Sequence, residues 1–182
     1  MTSISRLLSI STISLLLVLA GCAGTRTDRS TGEYIDDAAI TTKVKTALID
    51  NSSTKARQID VETYRGKVQL NGFVDSETAK TKAAQIAESV KGVKSVENNL
   101  VVSAQSSSPG EYIDDAKITT KVKTALYTNG DTNANQINVE TKNAVVQLSG
   151  WVDSWKEKTT AGEVARSVAG VKEVDNELDV RR

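Results

Sequence analysis

Histidine is absent from this 182-residue chain, which also has one cysteine, one proline and one phenylalanine. Without His the commonest general base and a common metal ligand are missing, and one Cys leaves little scope for thiol chemistry. Carboxylates alone could still support glycosidase-type hydrolysis. The expectation is nevertheless a protein that is no enzyme and uses no metal or cofactor. Positive and negative side chains number 23 each. No global field therefore draws the chain to nucleic acid or to an acidic surface.

What is present begins with an address. Met1–Arg6 carries one charge, Arg6, and Leu7–Ala20 is apolar apart from scattered Ser and Thr. As a helix that run rises about 21 Å, short of the roughly 20 residues a membrane span needs. Residues 1–21 therefore read as a secretory signal and are set aside from the fold. Leu19-Ala20-Gly21-Cys22 resembles a bacterial lipobox. The alternative is an ordinary signal with an incidental cysteine, but a lone thiol in an exported protein calls for an explanation. The resemblance implies lipidation of Cys22 through a diacylglycerol thioether plus an N-acyl chain, enough acyl chains for stable anchoring. Ala23, rather than Asp, follows the cysteine, as in lipoproteins sent on to the outer membrane. The expected location is the periplasmic side of that membrane. Residues 22–32 form the lipidated N-terminus and its tether; Ala23–Gly32 has nothing to bury and spans roughly 17 Å as a coil.

Beyond the tether the chain repeats itself. Shifted by 78 positions, Glu33–Val102 aligns with Glu111–Val180 without a gap, about 43 of the 70 pairs being identical. The chain is two copies of one module, 33–102 and 111–180, joined by the Ser-rich segment 103–110 that holds the only proline.

In each copy Ile40, Val44, Ala47 and Leu48, or Ile118, Val122, Ala125 and Leu126, recur at helical spacing. Asp36-Asp37 and Asp114-Asp115 stand where a helix start would place them and are expected to cap it; a cation site is the alternative. Lys43, Lys45, Lys121 and Lys123 lie off the apolar stripe, suited to solvent or to an anionic headgroup. Two alternating stretches follow, Gln58–Thr63 and Lys67–Val74, turned at Arg65-Gly66. They predict a hairpin with one buried and one wet face, and the second copy repeats it. Gly72 and Gly150, inside the strand pattern, are expected to allow a bulge or the close approach of a helix. Asp75-Ser76 and Asp153-Ser154 open a second helix, with a capping box spelled by Ser154 and Glu157. Gly92 and Gly170 are expected as its C′ residues. A last strand carries Val96, Leu100 and Val102, or Val174, Leu178 and Val180. The fold class is α+β: two tandem α-β-β-α-β modules, each with two helices on one face of a three-stranded sheet.

The helix opening Asp-Asp-Ala-x-Ile-Thr-Thr-Lys-Val-Lys, the hairpin ending Val-Gln-Leu-x-Gly-x-Val-Asp-Ser and the close Val-x-Gly-Val-Lys-x-Val-x-Asn-x-Leu resemble the BON domain. Behind a lipobox, the doubled module is similar to outer-membrane lipoproteins with two BON domains, and to an osmotically inducible periplasmic two-BON protein. The resemblance implies a non-catalytic periplasmic module that associates with phospholipid and supports envelope integrity under stress. Lipid-binding members can carry an aromatic early in the first helix of the second module. Here that stretch reads Asp115-Ala116-Lys117-Ile118, leaving Tyr112 as the nearest aromatic and Lys117, with Lys121, as an electrostatic contact.

The copies differ where Phe73 becomes Trp151, Glu77 becomes Trp155 and Ala39 becomes Lys117. By strand parity Trp151 points away from the helices, and Trp155 opens the second helix. Tryptophan suits interfaces, its ring apolar and its N–H hydrated. Each either contacts lipid headgroups, a partner or the other module, or covers the edge of its own core. Tyr112, Lys117, Lys121, Trp151 and Trp155 are thus the candidate membrane or partner contacts. The expected partner is membrane phospholipid, with an envelope protein as a further possibility and nucleic acid excluded. The alternative function is a protein-binding adaptor working through an exposed sheet edge.

Overall fold

The computed structural model describes residues 31–52, 54, 59–103 and 108–181. Residues 1–30, and with them the expected leader, Cys22 and most of the expected tether, lie outside the described residues, as does 104–107 between the modules. The first module runs α1 (Thr31–Ile49), β1 (Ile59–Tyr64), β2 (Lys67–Val74), α2 (Glu77–Ser89), β3 (Ser95–Asn98) and β4 (Val101–Val102). The second runs α3 (Pro109–Thr128), β5 (Asn138–Lys142), β6 (Val145–Val152), α4 (Trp155–Ser167) and β7 (Glu173–Val180), with a 3₁₀ turn at Ala134–Gln136 before β5. Each sheet pairs its first two strands antiparallel and its last strand parallel to the central one. In the first module that last strand is broken into β3 and β4, whereas β7 pairs with β6 without interruption from Glu173 to Val180.

One face of each sheet meets its helices. Ile40, Val44 and Leu48 pack on Val61, Val68, Leu70, Val74 and Leu100, and Ala83 and Ala87 bring α2 close. The second core repeats the pattern with Ile118, Val122, Leu126, Leu148, Val152, Ala161, Ala165 and Leu178. Each fully buried Leu or Val contributes about 2 kcal/mol by leaving water.

The other face was expected to be wet, and here the structure differs. Gln69, Asn71, Phe73, Gln147, Ser149 and Trp151 all point away from the helices and are all buried. The two sheets lie face to face, with the helices on the outside of each. A module of about 70 residues has little core of its own, and covering the second sheet face with a sister module is one way to enlarge it.

The helices also begin earlier than the paired aspartates suggest. α3 starts at Pro109 behind the N-cap Ser108, and Ser108 with Glu111 forms a reciprocal capping box. Asp37 and Asp115 therefore sit a turn or more inside. Asp37 accepts hydrogen bonds from the backbone N–H of Arg65 (2.7 Å) and Gly66 (2.8 Å). Asp115 does the same for Asn143 and Ala144, both at 2.8 Å. These carboxylates hold the hairpin turn, not the helix end. The turn needs the help, because Arg65, Asn143 and Ala144 all have positive φ, and only Gly66 adopts it without steric cost.

Two further local expectations are corrected. Val90 is the C-cap of helix α2 and Val168 that of α4, so Gly92 and Gly170 lie two residues past the cap, in a turn at φ 106° and 104°. The Ser154 hydroxyl does accept from the Glu157 N–H (3.1 Å), but the Glu157 carboxylate caps Asp153 N–H (3.0 Å) and Asn133 N–H (2.8 Å) instead of closing the box on Ser154.

Candidate functional site

Two kinds of surface remain to be explained: the buried seam between the sheets and the exposed outer faces of the helices. The seam is built by an exchange. The Gly72 N–H donates to Gln147 Oε1 at 2.5 Å, and the Gly150 N–H donates to Gln69 Oε1 at 3.3 Å. Gln147 stands 78 positions after Gln69, as Gly150 does after Gly72, so the two bonds are related by an approximate twofold axis. Both glycines have positive φ, 109° and 120°. A side chain at Gly150 would also strike the Gln136 carbonyl, whose oxygen lies 2.3 Å from where Cβ would be. The close approach that Gly150 permits is thus to backbone and to the sister sheet, where Glu62 Oε2 lies 3.2 Å from the same point. The helices, expected from sequence to be the neighbour, are not what crowds Gly150.

Near the axis Asn138 Nδ2 donates to Asp60 (2.7 Å), its counterpart in the other copy, and makes a second, shorter bond to Glu62. Away from the axis the symmetry fails. At one end Tyr64 stacks on Trp151 with ring centroids 5.7 Å apart, and Arg65 and Arg181 lie over the Tyr64 ring. Lys67 there bridges Asp179 (2.6 Å) and Glu97 (2.9 Å). These two carboxylates hold the Lys67 ammonium above its ordinary pKa against the opposing effect of burial, the largest single influence. At the other end Lys142 replaces Tyr64 and donates to the Ser103 carbonyl at 3.0 Å, where the linker begins.

The candidate residues separate into two groups. Trp151 is 6% exposed and meets the other module, where the sequence had left lipid, a partner, the other module or the edge of its own core open; it is not available to a membrane. Trp155 remains 60% exposed, with Lys158 Nζ 5.7 Å from its ring centroid. It borders the depression at the seam's aromatic end, with Tyr64, Lys67 and Trp151. Tyr112 is 72% exposed on the first turns of α3. Lys117 and Lys121 line a cleft between α3, the 143–144 turn and the segment 169–172. Lys117 is ion-paired to Asp114 at 3.2 Å, both side chains being largely solvated. The first module has the matching cleft, where Ala39 stands for Lys117 but Arg65 and Lys91 stand for Asn143 and Ala169. The gain of Lys117 therefore does not leave the second cleft the more basic. Cys22 lies outside the described residues.

Among the described residues the large exposed apolar side chains are Tyr34, Ile49, Tyr112, Ile113, Tyr127 and Trp155, all on helices. Five belong to α1 and α3. The outer face of α3 presents Tyr112, Ile113, Ala116 and Tyr127 with Lys117, Lys121 and Lys123 beside them, an apolar band edged by positive charge.

Comparison with known proteins agrees with the architecture. The BON domain family model matches residues 36–104 and 114–182. The chain belongs to the BON domain family. The chain is similar to Osmotically-inducible protein Y from Escherichia coli K12, with 39% identity over 163 residues, 87% of this chain and 81% of that protein. Outer membrane lipoprotein DolP from Haemophilus influenzae is 33% identical over 147 residues, 80% of this chain and 75% of its own. A 21 kDa hemolysin from Actinobacillus pleuropneumoniae is 32% identical over the same shares.

Sequence reasoning missed the seam residues Gln69, Gln147 and Tyr64. A signal was present: a Gln kept at the same place in both copies, centred on the face opposite the core. Among the described residues no group of three or more carboxylates is arranged to hold a metal, and no helix is long and apolar enough to cross a membrane.

Proposed function

We propose that this is a lipid-anchored protein of the bacterial envelope, held at the periplasmic face of the outer membrane through Cys22. Its BON modules contact phospholipid by the outer faces of their first helices, and it supports envelope integrity under stress without catalysing a reaction. The observation that carries this reading is that, among the described residues, the large exposed Tyr, Ile and Trp side chains all stand on helices, α3 above all, with lysines beside them. Aromatic rings at headgroup depth and lysines facing anionic lipid are the chemistry of an interfacial helix. Two of the relatives, by name an osmotically-inducible protein and an outer membrane lipoprotein, support the same setting.

Sedimentation of residues 31–182 with vesicles, with and without anionic lipid, tests the contact. Binding that needs anionic lipid and weakens with salt is expected. No binding at low salt would remove the lipid contact and favour the adaptor, whose sheet-edge strands β1 and β5 could pair with a partner strand. The anchor has its own test. Cys22→Ser is expected to shift the protein out of the membrane fraction, and unchanged fractionation would exclude lipidation at Cys22.

A further inference from the structure

The seam collects acids from both modules. On β7, Asp175, Glu177 and Asp179 alternate on the face that meets the first module, paired in register with Gln147, Ser149 and Trp151. Glu97, the counterpart of Asp175, comes from β3; it accepts from Gln69 Nε2 (3.3 Å), as Asp175 accepts from Gln147 Nε2 (3.3 Å). Near the axis Asp60 and Glu62 share Asn138, and Glu140 lies within electrostatic reach of Asp60. Seven carboxylates thus border one polar seam. Its cations are Lys67 on Glu97 and Asp179, Lys45 on Asp60 (3.2 Å), Arg65 and Arg181 over Tyr64 at one end, Lys142 at the other, and Lys158 and Lys123 acting at a distance on Glu177 and Glu140. The seam also buries an amide nitrogen, Asn71 Nδ2, that meets no acceptor among the described residues. An interface so polar, with like charges facing, is held by a small margin.

We propose that the seam between the two BON modules is a proton-operated joint, closed when Glu177 and Glu140, set among the other carboxylates, hold protons and loosened when they ionise. Glu177 is the group that sets it. It faces Asp175 on its own strand and Glu97 across the seam, with Lys158 of α4 as the opposing charge. Burial first, then hydrogen bonding to Asp175, raise its pKa to about 7 from the ordinary 4.5. Glu140 is raised as well, by burial and by Asp60, against Lys123. The sign follows from linkage. A carboxyl whose pKa is higher in the closed state binds its proton better there, so falling pH favours closure. Between pH 4.5 and about 7 that advantage is progressively lost as pH rises. Each unit of difference is a factor of ten in the closure constant. Glu177 is partly solvated, so screening reduces the whole effect to roughly tenfold to a hundredfold.

Trp151 supplies the readout, because opening the seam takes it off Tyr64. In the full chain with Trp155→Phe, Trp151 is the only tryptophan, and its quenching by acrylamide can be followed from pH 4.5 to 9. Quenching is expected to rise through a midpoint near pH 7 while far-ultraviolet circular dichroism stays constant. Glu177→Gln, which keeps the shape and removes the charge, is expected to abolish that midpoint. Glu97→Gln removes one repelling charge and is expected to move it to lower pH. Quenching independent of pH, or a midpoint unchanged in Glu177→Gln, overturns the proposal. Loss of circular dichroism along with the rise in quenching also overturns it, since the event would then be unfolding.

Discussion

The two modules share a fold and differ in what they bring to each other. Positions identical in both copies make the core, the aspartate clamp on the hairpin and the reciprocal glutamine–glycine bonds. Positions that differ make the ends of the seam: Tyr64 against Lys142, Phe73 against Trp151, Lys67 against Val145, Val101 against Asp179. The aromatic stack and the Lys67–Asp179 ion pair each need one residue from each copy, and neither has a twin at the opposite end. The copies are therefore no longer interchangeable. Two first modules would place Lys67 opposite Val101, and two second modules would lack both Tyr64 and Lys67.

The comparison can be broken most severely at the shared glycines. Gly150→Val combines a forbidden φ of 120° with an atom that would lie 2.3 Å from the Gln136 oxygen. The expected loss is about 4 kcal/mol, from strain plus overpacking. Thermal melts of the two-module protein check it, and an unchanged melting temperature would mean the strand bends away at no cost. Trp151→Ala is next, at about 3 kcal/mol for a large buried ring. Phe73→Ala at the same place in the other copy is expected to cost about 1 kcal/mol less, the worth of a stacked ring pair. Equal losses would show that the Tyr64 stack adds nothing. Smaller again is the difference between the clamps. Asp37→Ala and Asp115→Ala each remove two charge-assisted bonds, about 2 kcal/mol net. Asp115→Ala is expected to lose up to about 1 kcal/mol more, because Ala144 has no glycine freedom to hold the turn unaided. Chemical denaturation of each variant reads the ordering.

Much of this molecule was legible from its residues. Helical spacing at Ile40, Val44 and Leu48 and alternation through Val68, Leu70 and Val74 found the helices, the hairpin and the buried face. Those signals are local, set by the period of one element. Apart from the offset of Gly92 and Gly170 from their helix ends and the open box at Ser154, the misreadings involve partners distant in sequence. Asp37 looks like a cap because caps are local, yet it reaches the turn 28 residues on. Gln69 looks solvent-facing because it is polar, yet its partner is Gly150 in the other copy. Trp151 could be placed on the correct face by parity, but what covers that face is a property of how the modules meet. The candidate site was legible in part: Tyr112, Lys117 and Lys121 are exposed together on α3. Ile113 and Tyr127, on the same outer face, were not singled out because the apolar stripe at Ile118, Val122 and Leu126 already accounted for the helix.

The central claim is a division of labour, with sheet faces binding each other and helix faces meeting lipid. Vesicle sedimentation of the two-module protein tests it most directly when one variant of each kind is compared. Ile113→Ser with Lys121→Glu alters only the outer side of α3, and Gln69→Ala with Gln147→Ala alters only the seam. The account predicts that the helix-face variant loses anionic vesicle binding about tenfold or more, each lysine contributing about 1 kcal/mol and each buried apolar side chain a similar amount. The seam variant is predicted to keep its binding while melting at a lower temperature. Binding unchanged in the helix-face variant, or lost in a seam variant that remains folded, would contradict it.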